Sequence, residues 1–310
     1  MASPRAPLVI VNPAAGMGRA HELEPRIRAA LRGTDIQATV LETREPGHGE
    51  RLAAAAADLG HDRVIAVGGD GTVNEIINGL MDGVAPGVPP PVLGVVPAGS
   101  GNDLARSLGL PLAPLDALPL ALGERTRPLD LGVATCDGQV RHFHAAGGTG
   151  FDAQVAFAMA GKRRGWQRGR AGYFVTTLTE LWRYRNRELS VRLATPDGAR
   201  HLEGRFLFIA FANGPYYGGG MKISPEASNR DGLLDVCLVG DISRLGAVKE
   251  LPGIYRGAHV NHRLVEIARV LELRIDGPPQ TRVHLDGEPL GELPVEIRVR
   301  PAALQVAAVD

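Results

Sequence analysis

The segment Gly68-Gly69-Asp70-Gly71-Thr72 follows the apolar run Arg63–Val67 and opens a helical pattern. Glycines let a backbone approach a ligand closely and adopt positive φ. A helix N-terminus adds free N–H groups and a positive dipole end, which suit phosphate. Asp70 is the odd member, because a carboxylate repels phosphate unless a cation lies between them. Mg²⁺ takes carboxylate, water and phosphate oxygens, so the loop points to a phosphate–Mg²⁺ site. Thr72 and Glu75 have capping-box spacing, which predicts Thr72 as the helix N-cap. A tight strand-to-helix turn without a ligand would use the same residues.

Two more small-residue loops share this arrangement. Pro97-Ala98-Gly99-Ser100-Gly101-Asn102-Asp103 follows Val92–Val96, with Ser100 and Asp103 expected to cap the next helix and Gly109 to end it. Asn12-Pro13-Ala14-Ala15-Gly16 follows Leu8–Val11. All three loops are expected at the carboxyl edge of one parallel sheet, where open α/β folds bind ligands. Neither GxxxxGK[ST] nor a GxGxxG opening the first helix is present, so the phosphate device is a different one.

Asp286 and Glu288 flank Gly287 in a turn after the strand pattern Arg282–Leu285. If both carboxylates face one cleft, like charges raise one pKa toward that of a useful base. Asp231-Gly232 is a turn before Leu234–Val239. Lys162–Arg192 carries nine basic and two acidic residues, interleaved with Trp166, Tyr173, Trp182 and Tyr184. That composition suits an anionic membrane surface as well as a solvated helix. Phe174, Leu178 and Leu181 have helical spacing and are expected to face the core. His142 and His144 lack the partners of a recognisable metal set, and Cys136 and Cys237 read as small apolar residues.

These residues require positioning elements. Up to about residue 110, strand and helix signals alternate: helix His21–Arg32, strand Gln37–Leu41, helix Ala53–Leu59, helix Thr72–Leu80. This implies a parallel sheet covered by helices on both faces. Beyond Asp130 strands dominate and the half is mostly antiparallel. Cys136-Asp137-Gly138-Gln139 is a hairpin signal, and Pro196-Asp197-Gly198 separates strands Leu189–Ala194 and Arg205–Ala212. Val295–Val299 and Ala303–Ala308 read as two strands, the last free to return to either half. Helices are expected near Gly172–Arg187 and Leu245–Tyr255. Prolines cluster at Pro111, Pro114, Pro119 and Pro128, so the domain boundary is placed at 112–130.

Composition sets the outer bounds. A chain of 310 residues and 32.8 kDa suits two domains. The 34 basic and 34 acidic residues give zero formal net charge, which argues against a general nucleic-acid binder. Two distant cysteines exclude a disulfide framework. Asn12-Pro13 interrupts the first apolar run, and the longest charge-free stretch, Val84 to Asn102, holds five prolines. A cytoplasmic protein without membrane spans is expected.

The motifs NPxxG, GGDGT and P-x-G-[ST]-x-N-D, in this order, resemble the diacylglycerol kinase catalytic family, which includes sphingosine and ceramide kinases. The resemblance continues through Gly148-Thr149-Gly150-Phe151-Asp152-Ala153, the Asn213…Gly218-Gly219-Gly220 block, Asp231-Gly232-Leu233-Leu234-Asp235 and Asp286-Gly287-Glu288. Ser100 stands where many members have Thr. The resemblance implies an α/β N-terminal lobe with a Rossmann-like sheet, similar to NAD kinase and phosphofructokinase, over residues 1–129. It implies a β-sandwich lipid-substrate lobe over 130–310 and an active site in the interdomain cleft. It also implies ATP and Mg²⁺, a lipid alcohol such as diacylglycerol as acceptor, and a place in phospholipid metabolism.

Nucleotide contacts would fall on Asn12, Thr43, Gly68, Gly69, Asp70, Gly71, Thr72, Asn74, Glu75, Gly99, Ser100, Asn102 and Asp103. Glu288 would be the proton acceptor, with Asp286 and Asp70 beside it in catalysis. Asp231, Ser228 and Leu233 would hold a structural Mg²⁺. The resemblance leaves the specific lipid and a monomer or homodimer open. An NAD kinase, which shares GGDGT, and a nucleotide-regulated non-catalytic module are the alternatives.

Overall fold

The computed structural model describes residues 6–160 and 170–309. Two compact units divide the chain: Met1–Asp130 with Ala302–Asp310, and Leu131–Pro301.

Unit 1 is built on β1 (Leu8–Val11), β2 (Thr39–Glu42), β3 (Arg63–Gly68) and β4 (Val92–Pro97) in the order β2-β1-β3-β4. All three pairings are parallel. The end of β16 (Val295–Ala307) lies beside β4, with Val306 opposite Leu93. The apolar, β-branched runs of β1 and β3 are buried on both faces, as expected for a parallel sheet covered by helices. Those helices are α1 (Arg19–Arg32), α2 (His48–Ala54), α3 (Asp70–Asp82), α4 (Asp103–Ser107) and α5 (Pro114–Leu122). One core cluster joins Val9, Val11, Ile27, Leu31, Ile65, Val67 and Leu118.

Helix α2 starts and ends earlier than the alanine run Ala53–Leu59 suggested. Its first N–H groups meet a partner from elsewhere in unit 1, the carboxylate of Glu75. Within the proline-rich segment after residue 112, Pro114–Leu122 forms a helix, and the units divide after Asp130. Pro114 sits in its first turn, where a missing N–H does no harm, and Ala117, Leu118 and Ala121 are buried.

In unit 2, the end of β5 (Thr126–Cys136) and β6 (Gln139–Phe143) form a hairpin through Asp137 and Gly138, both at positive φ. Then come β7 (Ala146–Gly150), α6 (Phe151–Ala160), α7 (Arg170–Arg183), β8 (Arg187–Thr195), β9 (Gly198–Phe206) and β10 (Phe208–Ala212). These are followed by β11 (Leu234–Val239), α8 (Arg244–Ile254), β12 (Val265–Val270), β13 (Glu272–Asp276), β14 (Arg282–Leu285) and β15 (Glu288–Glu292). One sheet runs β16-β13-β8-β9; the other runs β12-β11-β10-β7-β14-β15. A core cluster draws Val191, Leu193 and Ile275 from the first sheet and Ile209, Phe211 and Val236 from the second. The alternate β10 residues Phe208, Ala210 and Ala212 join a separate cluster with Phe151, Leu181 and Ala247 of the three helices.

Two strand expectations are corrected. The run Arg205–Ala212 breaks at Leu207, so β9 and β10 enter different sheets. The last two runs are one strand, in which Ala302 at φ 46° absorbs the bend. No helix among the described residues is long and apolar enough to cross a membrane.

Candidate functional site

In unit 1 the loops after β1, β3 and β4 meet at the carboxyl edge of the sheet. The Asn12 N–H donates to the Val67 carbonyl at 3.0 Å, and the Ala98 N–H to the Gly68 carbonyl at 2.7 Å. A Cβ on Gly99 would lie 2.4 Å from the Gly69 Cα, so two loops touch backbone to backbone where only glycine fits. Asn12 Nδ2 donates to Thr72 Oγ1 at 2.8 Å. Asp70 Oδ1 accepts the Asp103 N–H at 2.6 Å and the Leu104 N–H at 3.4 Å.

These contacts revise the capping expectations. Helix α3 begins at Asp70 after Gly69, so Thr72 lies inside the first turn with its hydroxyl held by Asn12. Glu75 reaches the Gly47 and Gly49 N–H groups at 2.8 and 3.1 Å, not back to Thr72. Helix α4 follows Asn102, which is left-handed at φ 55°, and Asp70 from the neighbouring loop caps it in place of Ser100 and Asp103. Gly109 does end that helix, with the Leu110 N–H on the Ala105 carbonyl at 2.9 Å.

Among the described residues the start of α3 has no side-chain cap, and apart from its chain neighbours and its own helix backbone nothing lies within 4 Å of where a Gly71 Cβ would stand. Main-chain donors beside open space suit a phosphate. Several polar groups surround them. Thr43 follows β2, with its N–H on the Val11 carbonyl at 2.8 Å. Ser100 is exposed, Asn102 Oδ1 accepts the Gly99 N–H at 2.9 Å, and Asn74 accepts from Asn78 Nδ2. The set fits the phosphates of a nucleotide.

In unit 2, Asp286 at φ 48° and Gly287 at φ 85° turn β14 into β15. Asp286 Oδ1 accepts the Ala145 and Ala146 N–H groups at 3.0 and 3.1 Å, and Oδ2 accepts the His144 N–H at 3.1 Å. His144 Nε2 lies 3.5 Å from Oδ2, and both side chains are sealed from solvent. Glu288 is exposed at the start of β15. The sequence suggested two carboxylates sharing one cleft. Asp286 is instead sealed against residues 144–146, where it fixes the turn that presents Glu288. His144 and Asn213, whose Nδ2 donates to the His144 carbonyl at 3.1 Å, belong to this support, a role the sequence did not assign to either. Burial and the charges of Arg300, Arg141 and Arg298 push the His142 imidazole down to about 4.

Asp231 Oδ1 accepts the Leu233 N–H at 3.1 Å, and the Arg269 guanidinium holds Oδ2. An arginine on the carboxylate competes with a cation, and no cluster of three His, Cys, Asp or Glu among the described residues could hold a metal. With Arg269 on the carboxylate, Asp231, Ser228 and Leu233 do not fit a resident Mg²⁺. Nearby, burial lifts the Asp235 carboxyl to about 6, against the pull of Arg269.

Unit 2 also holds a narrow apolar cavity of about 70 Å³. Its wall includes Phe151, Val155, Leu181, Phe208, Val239 and Ile254. Asp152 lines it too, with Oδ2 3.2 Å from His284 Nε2. A Cβ on Gly148 would lie 2.0 Å from that oxygen, so the glycine of β7 makes room for the pair. Burial raises the Asp152 carboxyl above its ordinary range, with His284 opposing.

The helix face expected in the core is corrected. Leu181 is buried, but Phe174 is 54% and Trp182 56% exposed. Thr177 and Leu181 face the cavity, while Phe174, Leu178 and Trp182 follow one another at steps of four on another side of α7. Helix α8 repeats the division: Ala247, Leu251 and Ile254 line the cavity, and Leu245, Val248 and Tyr255 are exposed. Lys162, Arg163, Arg164, Trp166 and Arg168 lie outside the described residues.

The diacylglycerol kinase catalytic domain family matches residues 6–134. The family described as YegS C-terminal NAD kinase beta sandwich-like domain matches residues 145–308. A diacylglycerol kinase of Mycobacterium tuberculosis is 34% identical over 299 residues, 96% of this chain and 93% of its own. A YegS-like lipid kinase of Chromohalobacter salexigens is 34% identical over 289 residues, 92% of this chain and 89% of its own. The crystal structure of a diacylglycerol kinase from Bacillus anthracis superposes with a TM-score of 0.76 at 27% identity, covering 98% of this chain and 97% of that one. With both halves matched and relatives spanning nearly its whole length, this chain belongs to the diacylglycerol kinase family of lipid kinases.

Proposed function

We propose that the protein transfers the γ-phosphoryl group of MgATP to the hydroxyl of diacylglycerol or a closely similar lipid alcohol. The observation that carries the nucleotide half is the uncapped start of α3, bordered by open space at Gly71 and by loops locked through Gly69–Gly99, Asn12–Thr72 and Asp70–Asp103. Its N–H groups hold phosphate oxygens, with Asn12, Thr43, Asn74 and Ser100 as the polar border. The metal arrives with the nucleotide as its Mg²⁺ complex.

Glu288 takes the proton as the lipid oxygen bonds to the γ-phosphorus and the bond to the β–γ bridging oxygen breaks. Asp286 holds the turn and is a positioning residue. The cavity of unit 2 takes an acyl chain of the acceptor. The stripe of Phe174, Leu178 and Trp182, followed by Arg183 and Arg185, meets an anionic bilayer from the cytoplasmic side, where ATP is available.

An NAD kinase acts on a polar dinucleotide, which an apolar cavity does not suit, and nothing in the site favours a non-catalytic module. The test is radiolabel transfer from γ-labelled ATP with Mg²⁺ into mixed micelles carrying a panel of lipid alcohols, with NAD in a parallel tube. Label in an extractable lipid is expected. Label in the NAD tube alone would overturn the reading.

A further inference from the structure

The outer face of α8 carries a pattern that the cavity does not use. Leu245, Val248, Pro252 and Tyr255 recur at steps of three or four, so they form one stripe along the helix. All four are exposed, Leu245 at 75%. Tyr255 keeps helical backbone angles at the C-cap, so the stripe runs to the end of the helix. On a helical projection Arg244 falls on one side of the stripe and Lys249 and Arg256 on the other, and all three are exposed. Glu250, the one acid of the helix, points the other way and lines the cavity with Ala247, Leu251 and Ile254. Asp241, just before the helix, is taken by Asn186 and Arg205. The exposed arc is therefore apolar at its centre and basic at both margins. Its start meets the end of α7, where Arg244 Nη2 donates to the Tyr184 carbonyl at 3.0 Å and Asn186 Nδ2 to the Ile242 carbonyl at 3.0 Å.

We propose that the outer face of α8 is a second bilayer-contacting surface, separate from the α7 stripe, with an anionic phospholipid bilayer as its partner. Its apolar centre enters the boundary between headgroups and acyl chains, and Arg244, Lys249 and Arg256 meet lipid phosphates at the rim. A second copy of this chain docked through the same face would set basic margins against each other, which disfavours self-association there. The cavity wall and the bilayer contact are then two faces of one helix, so the cavity lies about 10 Å, one helix diameter, from the lipid surface. The choice of a lipid surface rests on the lipid-kinase reading, but the α8 contact involves no phosphoryl step and does not depend on Phe174 or Trp182.

The test places a polarity-sensitive dye on Leu245→Cys. Cys136 and Cys237 are buried, with thiols pushed up to about 11 and about 12, so the new thiol is the one labelled. With vesicles of equal parts phosphatidylglycerol and phosphatidylcholine, the emission is expected to shift to the blue and to resist quenching by acrylamide. With phosphatidylcholine alone the response is expected to be far smaller. Lys249→Gln with Arg256→Gln is expected to weaken binding to the anionic vesicles about fivefold for each charge removed. Leu245→Gln with Tyr255→Gln is expected to weaken it several-fold, and melting is expected to change little in either variant. A dye that stays fully quenched with anionic vesicles would overturn the proposal, whether or not the protein co-sediments with them. So would a blue shift that appears without vesicles as protein concentration rises, which would give the face to a second copy. Phosphoryl transfer missing from the micelle assay, with the dye response intact, would count against the kinase reading alone.

Discussion

Asp70, in the loop after β3, accepts the main-chain N–H of Asp103 at 2.6 Å and so starts the helix that follows β4. The loops after β3 and β4 are thereby one object. Asp70→Ala is expected to destabilise unit 1 by about 1–2 kcal/mol, the usual size of a lost helix cap, and to raise KM for ATP. Asp70→Asn keeps an acceptor oxygen and is expected to retain most of that stability. Denaturant midpoints for both variants decide the matter; equal losses would show that the cap is not what Asp70 supplies.

Asp286 and Glu288 are expected to separate in their effects. Three main-chain N–H groups point at the Asp286 carboxylate. Asp286→Ala leaves them unpaired, a penalty of about 1–3 kcal/mol for each buried group left so. Its melting temperature is expected to fall together with its activity. Unchanged melting would mean that the turn holds without those bonds.

Asp235 gives stability a pH dependence of defined sign. Burial lifts its carboxyl to about 6, so between the ordinary carboxylate pKa and 6 the folded chain binds more protons than the unfolded one. Its contribution is complete at the acid end of that window and declines as pH rises through 6. His142, pushed down to about 4, acts in the opposite sense by losing stability as pH falls. The comparison must therefore be made between Asp235→Asn and wild type. That substitution removes only the decline due to Asp235, so the variant is expected to gain on wild type from about pH 4.5 to about pH 7. A constant difference between their unfolding free energies across that range would contradict the assignment.

The exposed stripe on α7 predicts membrane binding without a folding role. Phe174→Gln with Trp182→Gln is expected to lower co-sedimentation with anionic vesicles several-fold, while melting changes little, since both residues are more than half exposed. Unchanged sedimentation would mean that the stripe does not meet the bilayer.

Much of unit 1 was legible because its signals are local. The apolar runs Leu8–Val11 and Arg63–Val67 end in small-residue loops, and parallel strands bring such loops to one edge. What the sequence could not show was which side chain meets which donor. Thr72 and Glu75 have capping-box spacing, yet Asn12 and Gly47, each many residues away, take their oxygens. Strand β7, Ala146-Gly147-Gly148-Thr149-Gly150, was invisible because glycine has weak strand preference; tertiary packing around Asp152 and Phe211 selects it. The face of α7 was misread because a helix with apolar residues on more than one side does not reveal which side is covered. The 286–288 turn was visible as Asp-Gly, but the inward Asp286 and outward Glu288 follow from a partner segment 140 residues earlier.

Glu288 as the proton acceptor is tested most sharply by γ-phosphate transfer to diacylglycerol in mixed micelles, with wild type and Glu288→Gln side by side and ATP binding measured separately. Wild type is expected to label the lipid, and the variant to lose about 10²–10⁴-fold in kcat, with equal ATP affinity and melting for both. Near-normal turnover in Glu288→Gln would contradict that role.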